Sequence, residues 1–345
     1  MQLNNLVLTY IAKELNERLQ GAFVNKIQEV QQGIFKFKFN THKEGAKDLI
    51  VSCKKDSLAV FLTDYKFEAP KMPTGYALFL KKRLIGQKIL EVKQLGFERI
   101  LEFVFPEFIL TVEMFFDGNI VLLDNARKIL MPYKRESFSA RQVKKDVDYV
   151  MPPQKEFQPN DLEKAFGKIS EEKKESFKAF LGLVNVAPIY LEEAFFSAGV
   201  QKNKNSSELS EKDFSKIAGK ISGIYSLKEE FFPSILELEK GTELSPVKSS
   251  LHKSLQEFKS INEAIDSIFS PQLLGEQNAI ETQDKDKATK SLEYSLNEML
   301  EARKKFSEQT EKFQEKGNKM WENFNDLQEI QKIIAKAFAE KNSEQ

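Results

Sequence analysis

The sequence predicts an α+β N-terminal domain (a mixed β-sheet with helices), followed by an all-α domain and then a long helix with coiled-coil spacing. Three observations carry that order. Up to about residue 150, apolar runs of strand length alternate with turn residues, with helical spacing at the start and in the middle. After Met151-Pro152-Pro153, where two prolines exclude helix and central strand alike, the spacing becomes helical. From near Asp284 the chain contains no proline and one glycine. At ~150 residues per domain, the 345 residues suit two or three domains. The boundaries expected are 1–153, 154–283 and 284–345.

Residues 4–20 set Leu8, Ile11, Ala12, Leu15 and Leu19 on one side of a helix that Gly21 stops. Ile34-Phe35-Lys36-Phe37-Lys38-Phe39 alternates at period two, so the phenylalanines share one face of a strand. Leu49–Ser52, Leu58–Leu62, Ile100–Phe105 and Phe108–Phe115 are further strands, the last two joined by a hairpin at Pro106-Glu107. A helix from Tyr76 to Leu84 presents Lys81-Lys82-Arg83, and Asp117-Gly118-Asn119 turns into Ile120–Leu123. In the second zone Asp161 is the expected N-cap, Gly199 a C-cap, and Ser210 opens a capping box with Asp213. Phe231–Leu238 and Leu244–Val247 read as a short hairpin, and Lys259–Phe269 as helix.

In the third zone Leu292, Leu296, Met299, Phe306, Phe313, Met320, Phe324, Leu327, Ile334 and Phe338 follow 4-3 spacing. Arg303, Thr310, Gly317 and Gln331 break the seam, so the coiled coil is imperfect. One amphipathic helix cannot bury its stripe alone, so a partner is expected there.

Charge and composition exclude several classes. The chain has 52 basic and 52 acidic residues, but residues 1–150 carry 24 and 18, a basic surplus that suits a polyanion such as RNA. The plainer alternative is charge scatter. The single cysteine, Cys53, removes disulfide frameworks and cysteine-rich zinc modules, and His42 and His252 supply no two-histidine metal motif. No apolar run reaches the ~18 residues of a membrane span and no signal pattern opens the chain, so a cytoplasmic protein without membrane contact is expected. Phosphate loops, dinucleotide-binding glycines and nucleophile elbows are missing, so neither catalytic residues nor a cofactor is predicted. Glu98-Arg99 stands where a turn enters a strand. Its arginine could fork onto a phosphate or stack on a base, or the pair could be a solvated ion pair.

The chain as a whole resembles the NFACT family, the ribosome quality-control factors called RqcH in bacteria and archaea and NEMF in animals. The resemblance is carried by Leu8 to Gly21 with Val24-Asn-Lys-Ile27, by Leu80-Lys-Lys-Arg-Leu84, by Gln94-Leu-Gly-Phe-Glu-Arg-Ile100 and by Gly118-Asn-Ile-Val-Leu-Leu-Asp124. Pro188-Ile-Tyr-Leu-Glu-Glu193, Phe258 to Asp266 and Lys316 to Phe324 extend it. It implies an N-terminal domain similar to formamidopyrimidine-DNA glycosylases, a helix-hairpin-helix domain and the first arm of a coiled coil.

The resemblance further implies binding to a large ribosomal subunit carrying peptidyl-tRNA. The factor would position tRNA, of the alanine type, for template-independent C-terminal tailing. The ribosome would form the peptide bond, so the protein would not itself be an enzyme. The implied tRNA-binding residues are Glu98, Arg99, Asn4, Asn5, Lys81, Lys82, Arg83 and Asn119. The implied ribosome- or partner-binding stripe is Met320, Phe324, Leu327, Ile334 and Phe338.

Several positions depart from the family pattern. Its Asp-Arg signature is Glu98-Arg99 here, Asn4 and Asn5 stand near a family aspartate, and Val186-Ala187 replaces a Leu-Gly pair. The sequence stops before the family's returning arm and NFACT-R domain. A shortened form, a reduced homologue or a two-chain split would each explain that, and a split makes a second chain a partner. The alternatives are a structural coiled-coil adaptor without a tRNA role and a glycosylase-like nucleic-acid-binding protein. Against the second, Gln2 and Leu3 replace the proline and glutamate those enzymes use, and Cys53 alone cannot build their zinc finger.

Overall fold

Helix α1 (Asn5–Leu19) starts where Asn4 Oδ1 accepts the Val7 N–H at 3.0 Å. It is the element around which the rest packs. The structure, a computed structural model, describes residues 1–41 and 44–342; His42 lies outside them. These residues fall into two units, Met1–Gly275 and Glu276–Gln345.

In the first unit, β1 (Phe23–Gln31), β2 (Ile34–Thr41), β3 (Gly45–Ser52) and β4 (Ala59–Thr63) form an antiparallel meander in chain order. Phe35, Phe37 and Phe39 are buried while Lys36 and Lys38 remain half-buried, as the alternation predicts. Helix α2 (Gly75–Leu84) leads into a second antiparallel meander. Its strands are β5 (Glu91–Gln94), β6 (Ile100–Val104), β7 (Phe108–Glu113), β8 (Asn119–Asp124) and β9 (Ile129–Pro132). The turn before β8 needs Gly118, which has φ of +69° and lies so close to Cys53 that a Cβ would stand 3.1 Å from its Cα. A ribbon of β10 (Glu136–Ser137) and β11 (Gln142–Val143) follows.

After the prolines come α3 (Ala165–Glu171), α4 (Ser176–Leu183), α5 (Pro188–Ala198) and α6 (Glu211–Tyr225). Gly199 ends α5 in the left-handed conformation, and Ser210 Oγ accepts the Asp213 N–H at 3.1 Å to start α6. Next are β12 (Phe231–Glu237), β13 (Thr242–Val247) and β14 (Ser254–Glu257), then α7 (Ile261–Glu322).

One buried cluster runs from Leu3 to Leu273 and takes in α1, both meanders, the later helices and the root of α7. Each large apolar side chain fully buried there contributes about 1.5–3 kcal/mol. The root of α7 is tied in by polar bonds as well. Glu14 of α1 accepts the Ile261 and Asn262 N–H groups, both at 2.8 Å, and so caps α7 from another helix. Asn262 in turn bonds the Leu62 N–H (2.7 Å) and C=O (2.8 Å), closing the exposed edge of β4.

The second unit holds the rest of α7 and α8 (Phe324–Asn342). The seam residues are exposed, from 71% at Leu292 to 40% at Leu327. Asn323 separates α7 from α8, although the Asn323 N–H still reaches the Lys319 C=O at 3.2 Å.

Several expectations need correction. In place of one mixed sheet there are two antiparallel meanders, because short hairpins can join only antiparallel neighbours. Asp161 caps nothing: its N–H closes a turn on the Gln158 C=O, and α3 starts at Ala165. The hairpin of the second zone gains a third strand, β14. The helix expected over Lys259–Phe269 and the long helix expected from near Asp284 are one, α7, which carries Pro271 inside.

Behind the β10–β11 ribbon lies a buried ion pair. Arg141 forks onto Glu113 at 2.6 and 2.9 Å, Tyr149 Oη donates to the same carboxylate at 2.7 Å, and Phe115 and Phe138 flank the guanidinium. Both charged side chains are almost wholly buried. Arg141→Ala strands the Glu113 charge and is expected to cost roughly 3–5 kcal/mol in denaturant unfolding. Arg141→Met combined with Glu113→Leu should recover most of that loss. A single-variant loss below about 1 kcal/mol would mean the pair is solvated.

Candidate nucleic-acid interface

A cleft of about 470 Å³ opens at the N-terminal end of α1. Its walls come from residues far apart in sequence: Gln2 to Asn5, the Phe97–Arg99 turn before β6, Lys155, the Asn185–Pro188 connection into α5, and Thr242-Glu243 at the start of β13.

Two asparagines organise it. Asn4, while capping α1 with its oxygen, donates through Nδ2 to Glu243 Oε1 at 2.9 Å. Asn5 is buried; its Oδ1 accepts from Tyr225 Oη at 2.8 Å and its Nδ2 donates to the Asn185 C=O at 3.1 Å. Tyr225 Oη also accepts the Ala187 N–H at 2.9 Å, which fixes the connection ahead of α5. Asn185 Nδ2 then donates to Glu98 Oε1 at 2.9 Å. Gln94 Nε2 donates to the Asn5 and Glu98 carbonyls, both at 2.9 Å, and holds the turn against α1. Such a chain of satisfied bonds fixes the position of every member.

Arg99 is held more loosely, with Nη1 donating to Gln2 Oε1 at 3.3 Å. Among the described residues its guanidinium pairs with no carboxylate, so donors remain for a ligand. Burial raises the Glu98 carboxyl above its ordinary pKa, and it outweighs the opposing effects of Lys155, the Asn185 bond and Arg99. Glu243 is raised by the same cause, against its bond from Asn4. The cleft therefore offers amides, one available arginine, Lys155 and two carboxyls whose pKa burial raises. These groups can read the edges of an unpaired base or hold a phosphate. No group of His, Cys, Asp and Glu suited to a metal occurs among the described residues.

Of the residues singled out from sequence, Asn4, Asn5, Glu98 and Arg99 meet in this cleft. Lys81, Lys82 and Arg83 do not line it; they occupy the last turn of α2, where cations favour the helix dipole. Arg83 lies over the Phe79 ring at 3.8 Å. Asn119 is withdrawn altogether. It is 1% exposed, and its amide donates to the Lys134 C=O at 2.8 Å and accepts the Lys134 N–H at 3.0 Å. Met320, Phe324, Leu327, Ile334 and Phe338 are all exposed on the helices of the second unit. Lys155, Asn185, Tyr225 and Glu243 escaped the sequence reading. Only Asn185, a polar residue inside the apolar run Leu183 to Ala187, carried a local signal.

Comparison with known proteins gives a consistent picture. The family model described as NFACT N-terminal and middle domains matches residues 4–345. The chain is similar to the archaeal Rqc2 homolog aRqcH of Methanocaldococcus jannaschii, with 27% identity over 344 residues. That match covers 94% of this chain and 50% of the relative, so the chain spans about half of that relative's length. A second relative, the Rqc2 homolog RqcH of Streptococcus suis, is 29% identical over 168 residues, covering 45% of this chain and 30% of its own length. Among solved structures, the N-terminal part of the fibronectin/fibrinogen-binding protein of Streptococcus suis superposes with a TM-score of 0.61 at 21% identity. It covers 78% of this chain and 99% of that one, and shows the shared fold.

The Glu98 carboxyl is expected to titrate above the ordinary glutamate value in carbon-detected NMR, and Lys155→Ala should raise its midpoint further by removing a nearby positive charge. The sign for stability follows. A carboxyl raised by folding favours the folded state while protonated, and that contribution is lost as pH rises through the folded pKa. A Glu98 midpoint at the ordinary glutamate value would mean that the cleft is fully hydrated.

Proposed function

The chain belongs to the NFACT family, and from that premise we propose that it is a ribosome quality-control factor that binds tRNA in the cleft of Asn4, Asn5, Glu98 and Arg99. The observation that carries the reading is the convergence in one cleft of those four residues, which the family resemblance associates with tRNA. Arg99 supplies a charge-assisted fork or a stacking plane for an unpaired nucleotide, and the amides of Asn4, Asn5 and Asn185 hold the cleft in register. The name of a further relative, the ribosome quality control complex subunit 2 of Saccharomyces cerevisiae, supports a role at the ribosome.

In this reading the partners are the large ribosomal subunit, peptidyl-tRNA and a second tRNA of the alanine type. The protein places tRNA for template-independent C-terminal tailing, and the ribosome makes the peptide bond, so the factor is a binder rather than an enzyme acting in the cytoplasm. The exposed apolar seam of the second unit is its coiled-coil element, met by a returning arm, which a second chain with an NFACT-R domain could supply. A bare coiled-coil adaptor would use the seam but has no need of the cleft.

Arg99→Ala is expected to weaken tRNA binding by about 1–3 kcal/mol at matched salt, leaving sedimentation with large subunits intact. Unchanged tRNA affinity would remove Arg99 from the interface. Ending the chain after Gln283 keeps the first unit whole; it should abolish sedimentation with the large subunit and spare tRNA binding. If the shortened protein still sedimented with subunits, the seam would not be the anchor.

A further inference from the structure

Phe116 is costly for the fold. It is a bulky residue with φ of +51°, a left-handed conformation that side chains with a Cβ resist, and 70% of its surface is exposed. Packing does not account for either cost. The rings flanking the buried Arg141 guanidinium are Phe115, Phe138 and Tyr149, so Phe116 is not needed to cover that charge. Instead it lies over Phe138 with ring centroids 5.9 Å apart and planes 27° from parallel, while Phe115 meets it edge-on at 5.5 Å. The result is a flat, supported ring exposed to solvent.

The surroundings are basic. The segment Lys134 to Arg141 to Lys145 contains five basic residues and one acidic residue, Glu136. Pairing of Glu136 with Val143 in the ribbon, continued by one residue, sets Arg135 across from Lys144. Both are exposed, and neither is in an ion pair among the described residues. Lys134 Nζ is held by two carbonyls, of Cys53 (3.0 Å) and Asp117 (2.6 Å), so its charge is positioned but not neutralised there. Position links this patch to the cleft: the Met114 N–H donates to the Arg99 C=O at 2.8 Å, and Phe116 follows two residues later at the same end of the sheet.

We propose that Phe116, backed by Phe138 of the ribbon that also carries Arg135 and Lys144, is a stacking platform for an unpaired base of bound RNA at the same end of the sheet as Arg99. An exposed aromatic face takes any base, and uncompensated cations beside it take the phosphates on either side. The ring together with two unpaired cations favours a polyanion that carries flat bases over an apolar protein surface. The proposal takes its RNA partner from the tRNA reading, and its test separates the two.

The probe is a short single-stranded RNA carrying 2-aminopurine, titrated into the full chain at fixed salt. Phe116→Ala is expected to lower affinity about 5–150-fold and remove the stacking quench, while Phe116→Trp keeps both. Phe116→Gly suits the left-handed backbone, so its Tm should equal or exceed that of the parent while RNA binding falls. Wild-type RNA affinity in the Ala and Gly variants would overturn the platform, and a lowered Tm with unchanged binding would mark Phe116 as a packing residue. Loss in Arg99→Ala but not in Phe116→Ala would reject the platform and keep the cleft. The reverse pattern would keep the platform and reject the cleft.

Discussion

Burying the polar start of a helix is the constraint on which most of this molecule depends. The first turn of α1 carries N–H groups without helical partners, and α1 is packed on by both meanders and by β13, so water cannot satisfy all of them. Asn4 meets part of that need with its own oxygen. Asn5 must then find partners for a buried amide, and it finds them at Asn185 and Tyr225, far along the chain. The polar demand of one helix end thus draws residues from the later helical region against the first sheets. The cleft is the surface left where those segments meet.

The same arrangement explains why an asparagine suits position 4. An aspartate could cap α1 equally well, but it would face the Glu243 carboxyl, and two carboxylates would share one partly buried site. Asparagine turns that contact into a donor–acceptor pair. No carboxylate is added at that helix end, and Arg99 keeps donors to spare.

The sequence disclosed what depends on local pattern. The Phe35-Phe37-Phe39 alternation, the stop at Gly21 and the Ser210 cap all rest on neighbours within a few residues. Asp161 failed as a cap for the converse reason: an acceptor side chain is necessary for that role but the backbone must also turn into helix there. The motif around Asn119 does not reveal its placement, buried at the start of β8 and bonded to Lys134. Tyr225 and Glu243 were illegible because their partners lie more than 200 residues away, where no periodicity reaches. The start of α7 lies within two residues of the expected Lys259, although its cap, Glu14, is borrowed from another helix; its run through Pro271 into the third zone was illegible because an internal proline reads as a break.

That borrowed cap has a mechanical side. A helix attached only through its own backbone would transmit a pull to a single strand of chain. The root of α7 instead shares any load among four hydrogen bonds, two on Glu14 and two between Asn262 and Leu62, with Ile261, Ala264, Ile265, Phe269 and Leu273 buried behind them. Bonds that must yield together resist far more than bonds that peel one at a time. The root of α7 is thus an anchorage, spreading tension across α1 and the edge of the first sheet, and a force on the helix would be felt there before the chain gave way.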